Sequence, residues 1–396
     1  MQASPVAKAG RAAARTAVPA AKASLATMAD DPADLERIRD QVGNVLSGFL
    51  GLQGTVLAEI DAEMLPWLDA MRDLLAGGKR LRPAFCYWGW RAAGGADCRE
   101  IFAAAAALEL LHGSALVHDD VMDGSETRRG RPAVHRQFAA RHAAGGHRGS
   151  AEGFGTGAAI LIGDLLLAWT GQLYHGGGLD PAALRRGQPV LDAMQTEVMC
   201  GQYLDLIGQA AGDGTVSSAL HVMTYKSAKY TIERPLQLGA ALAGPGRAGR
   251  AADPAGQQAD EPVMRALSGY GIPLGIAFQI RDDVLGVFGD PLRTGKPVTG
   301  DLREGKRTVL VAIARERATA AQASVLDRLL GDPLLTEAGA TEIRTVLADT
   351  GAVAECEKLI DQNISAALSA LAAAPVAPEA RKALTELASI VTERHS

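Results

Sequence analysis

Cysteine is scarce: the 396 residues hold only Cys86, Cys98, Cys200 and Cys356, with no CxxC pair and no metal-ligand spacing. Neither a disulfide framework nor a zinc site is expected, and the four thiols read as buried, free and without chemistry, in a reducing compartment. Aromatic residues make up 4% of the chain, too few for a β-sandwich, and no run alternates polar and apolar residues as a half-buried strand would. No nucleotide-binding glycine fingerprint follows a strand-like segment. The formal net charge is −5, so no global basic excess invites a nucleic acid, and any anion site must be a local cluster. No segment supplies the ~20 uncharged apolar residues sought for a membrane span; Ala266 to Ile280 is too short and carries Gly and Pro. A soluble, cytoplasmic protein without a membrane span or nucleic-acid partner is expected.

What the chain does have is apolar mass: 47% hydrophobic against 21% charged residues, enough to bury a sizeable core. Past residue 30, apolar residues recur at helical spacing and Ala is abundant, which predicts an all-α fold with one large domain over residues 31–396. Residues 1–30 are expected to be a disordered Ala-rich tail. Through residue 29 they carry Lys8, Arg11, Arg15 and Lys22 without an acid, which mimics an organellar transit peptide, and Met28 offers an internal start. Two Gly-rich stretches, Ala139 to Gly157 and Gly244 to Pro262, read as surface loops.

Two acidic clusters about 160 residues apart each close an apolar helical run. The first, from Leu108, ends in Asp119, Asp120 and Asp123, with Asp119 and Asp123 one turn apart on the same face. Three carboxylates at a helix C-terminus repel one another and face the negative end of the helix dipole, so something cationic should offset them. Hard oxygen ligands select Mg²⁺. Taken alone, such a cluster also fits a solvated helix end. The second, from Phe278, delivers Asp282 and Asp283 before Gly289-Asp290-Pro291. Two such clusters, on helices able to face one another, point to a metal-bridged diphosphate site. Basic residues suited to phosphate lie in three places: Lys79, Arg80 and Arg82 after a Gly pair, Arg128 and Arg129 just past the first acids, and Lys226, Lys296 and Lys306 further on.

These motifs are specific enough to carry a resemblance. GGKRLRP at 77–83, HDDVMDGSETRRGRPAVH at 118–135, GDLLLA at 163–168, GQYLDL at 201–206, YKSAKYT at 225–231, FQIRDD at 278–283 and TGKPVTGDLREGKRT at 294–308 follow one another in order. The chain thereby resembles the trans-isoprenyl diphosphate synthases, the polyprenyl synthetase family, and looks most like bacterial geranylgeranyl diphosphate synthases. The resemblance implies a single helical bundle of the isoprenoid synthase type around a deep central cavity, homodimeric, with three Mg²⁺ ions. It implies that Asp119 and Asp123 bind two of the ions and Asp282 the third, supported by Asp120 and Asp283. Lys79, Arg82, His112 and Arg129 would hold isopentenyl diphosphate. Arg128, Lys226 and Lys296 would hold the allylic diphosphate, with Lys306 near the closing loop, while Ser227 and Gln279 place oxygen dipoles beside the allylic cation.

Two departures stand out: Gly286 lies where many members carry a further Asp, and Ser227 where Thr is common. Product length should be set along the helix that ends in Asp119. Ser114 and Ala115 are small where members stopping at C15 place an aromatic ring, and Leu111 lies roughly 11 Å below the acids. A C20 product, geranylgeranyl diphosphate, is expected, with longer-chain or farnesyl products as the alternatives. A class I terpene cyclase also uses a DDxxD helix, but it needs no second diphosphate pocket and carries an Asn/Ser/Glu metal triad where Asp282 and Asp283 stand. A catalytically silent subunit of a heteromeric synthase would not require both acidic clusters intact.

Overall fold

The computed structural model describes residues 32–211, 214–244, 261–289 and 299–392. The expected tail, most of the loop after Gly244, and Lys296 lie outside the described residues. Residues Met1–Asp31 and Pro32–Ser396 separate as two units, and every element below belongs to the second.

Sixteen α-helices are described: α1 (Leu35–Ile60), α2 (Leu65–Leu75), α3 (Leu81–Ala92), α4 (Glu100–Met122), α5 (Val134–Ala144), α6 (Ala151–Gly176), α7 (Pro181–Ala211), α8 (Val216–Met223), α9 (Arg234–Ala243), α10 (Glu261–Phe288), α11 (Gly300–Arg303), α12 (Val309–Arg317), α13 (Ala320–Leu329), α14 (Glu337–Asp349), α15 (Ala352–Ala373) and α16 (Pro378–Thr392). A π-helix, Thr224–Glu233, continues α8 into α9, and two short strands, β1 (Thr127–Arg128) and β2 (Arg131–Pro132), form a hairpin after α4. The all-α expectation holds.

Helix α4 is apolar on every side, and Ile101 through Leu111 are all buried, which is how a central helix behaves. It packs on α6, α3 and α1, while α10 packs along α15 and against the π-helix. Two apolar cores result. One gathers α1 to α7, α9, the first half of α10 and α16. The other gathers α8, the second half of α10 and α11 to α15. Helices α10 and α15 are common to both, the end of α15 reaching the first core through Ala367 and Leu371.

Few aromatics and many glycines give close helix approaches. A Cβ on Gly89 of α3 would stand 2.0 Å from the Leu236 carbonyl oxygen, and one on Gly239 of α9 would stand 1.9 Å from that of Cys86. The two backbones touch because neither residue has a side chain.

Three expectations need correction. Ala139 to Gly157 is not a loop: α5 runs to Ala144, α6 starts at Ala151, and only the turn between them is irregular. Ser150 caps α6 by accepting from the Gly153 N–H at 3.1 Å, and Gly155 lets α6 lie against α5, since a Cβ there would be 2.1 Å from the His135 carbonyl. Packing here overrides the low helix propensity of glycine. Second, α4 and α6 are each long and apolar enough to cross a membrane by length and composition. Demanding uncharged residues hid them, because α4 contains Glu109, Asp119 and Asp120. In α4, 78% of the most apolar window is buried inside the fold, against 44% in α6. Third, Cys86 and Cys356 are buried free thiols, but Cys98 is only partly covered and Cys200 is exposed.

Candidate active site

The first acidic cluster forms because α4 stays helical through Met122 and is capped by Asp123, whose N–H donates to the Asp119 carbonyl at 2.8 Å. Gly124 (φ 63°) then turns the chain into the hairpin. Its two-residue turn is Arg129 (φ 53°) and Gly130 (φ 74°), both left-handed as a tight hairpin requires. An arginine held there costs on the order of 1 kcal/mol or more. The turn sends neighbouring guanidiniums opposite ways. Arg128 donates from Nε to Asp120 Oδ1 at 2.9 Å, pairs with the same carboxylate through Nη2, and reaches Asp119 Oδ2 at 3.4 Å. Arg129 donates to the carbonyls of Leu74 at 3.0 Å and Ala76 at 3.4 Å, where α2 ends.

Lys226 and Ser227 ride on the π-helix. Lys226 Nζ lies 2.5 Å from Asp205 Oδ2 and 3.7 Å from Asp119 Oδ1. Asp120 is 1% exposed, and Asp119 Oδ1 and Asp120 Oδ2 are buried without a hydrogen-bond partner. Burial, and then the charge of Asp119, push the Asp123 carboxyl up to about 7; Glu304 adds to this while Lys306 and Lys226 oppose it.

On α10, Gln279 donates from Nε2 to Asp283 Oδ1 at 2.8 Å. Burial above all, together with the charges of Asp301 and Asp282 and against the opposing Gln279 and Lys306, pushes Asp283 up to about 8. Lys306 Nζ donates to Asp301 at 2.9 Å and pairs with Glu304 at 2.8 Å. Burial disfavours its charge, but Asp301 and Glu304 outweigh it and hold the ammonium. The charge of Lys306 bears on Asp123 and on Asp283 alike, so the fold has brought the two acidic clusters within electrostatic reach of one ammonium.

A second basic group gathers around His112. Burial lowers the His112 pKa well below its ordinary value, and Arg82, Arg129, Arg128 and Arg80 lower it further, so the ring is neutral. Its Nδ1 is buried without a hydrogen-bond partner. Arg82 lies over the Tyr230 ring, 4.4 Å from Cζ to centroid, and donates to Thr231 Oγ1 at 2.9 Å. The glycine pair makes the preceding loop: Gly77 (φ 72°) and Gly78 (φ 86°) bring it beside Arg129 and leave Lys79 exposed. Arg80 (φ 52°) turns inward instead, to pair with buried Glu109 and the Leu75 carbonyl.

Most of the residues singled out by sequence therefore converge in two adjoining groups, one acidic and bridged by Lys226, Arg128 and Lys306, the other basic. Leu111 and Ser114 are buried in α4, and Ala115 is half-buried on the stripe that carries Asp119 one turn later. Asp205, Glu109, Asp301, Glu304 and Tyr230 were not singled out. GQYLDL contained Asp205, YKSAKYT contained Tyr230 and the segment ending in EGKRT contained Asp301 and Glu304; the partner of Asp205, Lys226, lies in another segment, whereas Asp301 and Glu304 pair with Lys306 of their own segment, a local spacing the sequence reading passed over. Among the described residues, no three of His, Cys, Asp and Glu form a ready-made metal cage.

The polyprenyl synthetase family model matches residues 66–343. The geranylgeranyl diphosphate synthase of Mycobacterium tuberculosis is 34% identical over 359 residues, 88% of this chain and 92% of that one. The geranylfarnesyl diphosphate synthase of Aeropyrum pernix is 32% identical over 325 residues, covering 81% and 91%. In three dimensions, geranylgeranyl pyrophosphate synthase from Corynebacterium glutamicum, solved with isoprenyl diphosphate and magnesium, superposes with a TM-score of 0.85 at 38% identity. The match covers 91% of this chain and all of that one (100%). Sequence, fold and the paired acidic clusters thus agree, and the chain belongs to the polyprenyl synthetase family.

Proposed function

We propose that the chain is a prenyltransferase joining isopentenyl diphosphate to an allylic diphosphate, and that its main product is the C20 compound geranylgeranyl diphosphate. One observation carries this reading: two separate cation groups adjoin the acids, Lys226, Arg128 and Lys306 among the carboxylates and Arg82 and Arg129 around His112. Two groups suit two diphosphates, which a terpene cyclase does not need.

The acidic donors fit Mg²⁺. They are oxygen only, and two buried oxygens lack hydrogen-bond partners, a donor set that suits an ion which completes its shell with water and substrate phosphate. Asp119 and Asp123 would hold two ions and Asp282 a third, with Asp120 and Asp283 behind them. When bound, Mg²⁺ supplies charge neutralisation for the departing diphosphate.

The chain's own residues do the positioning. Lys226 and Arg128, paired with carboxylates before substrate arrives, turn to the oxygens of the allylic diphosphate, joined by Lys296 and Lys306. Lys79, Arg82 and Arg129 take isopentenyl diphosphate, and neutral His112 offers an N–H to it without adding charge. The allylic C–O bond breaks with its electron pair on the diphosphate, and the π pair of isopentenyl diphosphate forms the new C–C bond. The proton then lost passes to the departing diphosphate, so no protein base is required. Ser227 and Gln279 lie on the elements that carry Lys226 and Asp282, where their oxygens would face the allylic cation. Exposed Phe154, Ile160 and Leu161 on α6 support assembly as a homodimer.

The purified chain, given Mg²⁺, isopentenyl diphosphate and allylic primers of increasing length, should yield mainly C20 product by mass spectrometry. No condensation from a folded sample would reject the prenyltransferase reading. A dominant C25 or longer product would reject only the chain length. Light scattering should return twice the monomer mass, and a monomer would reject the dimer.

A further inference from the structure

The π-helix Thr224–Glu233 runs between two α-helices, α8 and α9. A π stretch of this length is uncommon, since π turns mostly occur singly, so something outside the segment has to favour the wider register. Its last hydrogen bond runs from the Arg234 N–H to the Lys229 carbonyl, five residues back, and the side chains of the same two residues close on one carboxylate of α7. Glu197 Oε1 accepts from Lys229 Nζ at 2.6 Å and from Arg234 Nη2 at 2.6 Å, while its Oε2 accepts from Arg234 Nε at 2.7 Å. Burial favours the neutral acid, but Arg234 and Lys229 outweigh it and hold the Glu197 carboxyl below its ordinary value. The pairing that an α-helix would favour, Lys229 with Glu233 four residues on, is open at 4.0 Å, and Glu233 Oε2 is buried without a hydrogen-bond partner.

We propose that Glu197 is a positioning residue: by gripping Lys229 and Arg234 together it holds the segment in π register, and that register aims Lys226 at the acidic cluster. An α-helix turns about 100° per residue and a π-helix roughly 80°, so from Lys226 to Arg234 the two registers differ by roughly 150°. Helix α9 cannot absorb that rotation, because Gly239 seats its backbone against the Cys86 carbonyl. Relaxation to α register would swing Lys226 away from Asp119 and Asp205. It would move Thr231, which holds Arg82, by less, because Thr231 lies nearer α9. Asp205, the other carboxylate of α7 that grips the segment, loses Lys226 when the allylic diphosphate takes it, whereas Glu197 keeps both partners. The consequence for Lys226 rests on the role proposed above for that lysine; the grip on the register does not.

The test combines amide hydrogen exchange across residues 224–234 of the substrate-free full chain with steady-state kinetics in which each substrate is varied in turn. Glu197→Gln keeps the shape and removes the charge, so exchange in that segment should quicken by roughly 10-fold or more. The allylic KM should rise about 10-fold while that for isopentenyl diphosphate changes by less than about threefold. A merely structural loss would lower the amount of active enzyme and leave both KM values where they were. Lys229→Met, which keeps the Arg234 pair, should show the same split at smaller size. Glu233→Gln, a carboxylate outside the grip, should leave exchange and both KM values within about twofold of wild type. Wild-type exchange in Glu197→Gln, or the same split in Glu233→Gln, would overturn the proposal. So would equal KM changes for the two substrates in Glu197→Gln where Lys226→Ala separates them. If Glu197→Gln does not fold, Lys229→Met decides by the same two measurements. Failure of the underlying functional reading looks different: the segment would loosen as expected while Lys226→Ala left the allylic KM unmoved.

Discussion

Asp119 is held by Arg128 at 3.4 Å and Lys226 at 3.7 Å while it raises the pKa of Asp123 one turn on. Its removal therefore gives up two weak pairings and relieves one repulsion, so metal-free stability should change little. Turnover should fall by roughly 100-fold or more, since several kcal/mol of leaving-group stabilisation would go with the metal. Asp282→Ala should behave alike, and near wild-type turnover in either variant would remove that residue from the metal site. The acids were legible in sequence because spacing along one helix fixes which of them share a face. Asp205 and Glu109 were not, since the cations they hold lie 21 and 29 residues away and only the tertiary fold pairs them. Gln279 shows a further limit: its amide donates to Asp283 at 2.8 Å, a contact that a motif match does not specify.

The π-helix is wedged between two helices that meet it at glycine. A Cβ on Gly201 of α7 would stand 2.5 Å from the Lys226 backbone nitrogen, and one on Gly275 of α10 would stand 2.5 Å from the Ala228 Cα. Gly201→Ala must push the segment that carries Lys226, costing about 1–3 kcal/mol of stability and reducing turnover. Gly208→Ala on the same helix meets nothing within 4 Å and serves as the matched control; equal effects of the two would refute the wedge. Product length belongs to α4. Ser114→Phe should shift the product toward C15, and so should Ala115→Phe, which is half-buried and on the Asp119 stripe, whereas Ser114 is only 3% exposed. An unchanged product spectrum in folded, active variants would take these positions out of the chain-length argument. Helices with apolar spacing were legible from the sequence. The α5–α6 pair was not, because its glycines signal a loop locally and become contacts only when the two helices are packed.

Across the whole molecule, stability should depend on pH through the two raised carboxyls. Asp123 at about 7 and Asp283 at about 8 keep their protons in the fold at pH values where the unfolded chain, at the ordinary value of 3.8, has lost them. The native state then binds more protons, so stability falls as pH rises through those values. Neutral His112 contributes an opposite slope only below its ordinary 6.5, which leaves a clean window from about pH 6.5 to 8.5. In chelator, the melting temperature should drop across that window, and Mg²⁺ with pyrophosphate should restore more of it at the alkaline end. A flat or rising profile would contradict the buried carboxyls. The general architecture was legible in the apolar spacing, but the division into two cores that meet along α10 and α15 was not. It depends on which faces of those helices meet which neighbours.

The contact between α3 and α9 also bears on how variants of this protein will be interpreted. At Gly89 and Gly239 the obstacle to any side chain is a carbonyl oxygen of the facing helix, which has no rotamer to change. A saturation screen scored by prenyl transfer should therefore find these two positions as intolerant as Asp119, and alanine should fail there almost as badly as tryptophan. At Asp119 the ranking would follow charge, with glutamate and asparagine separated. The shape of the substitution profile, rather than its depth, distinguishes a residue that performs chemistry from one that lets two helices touch.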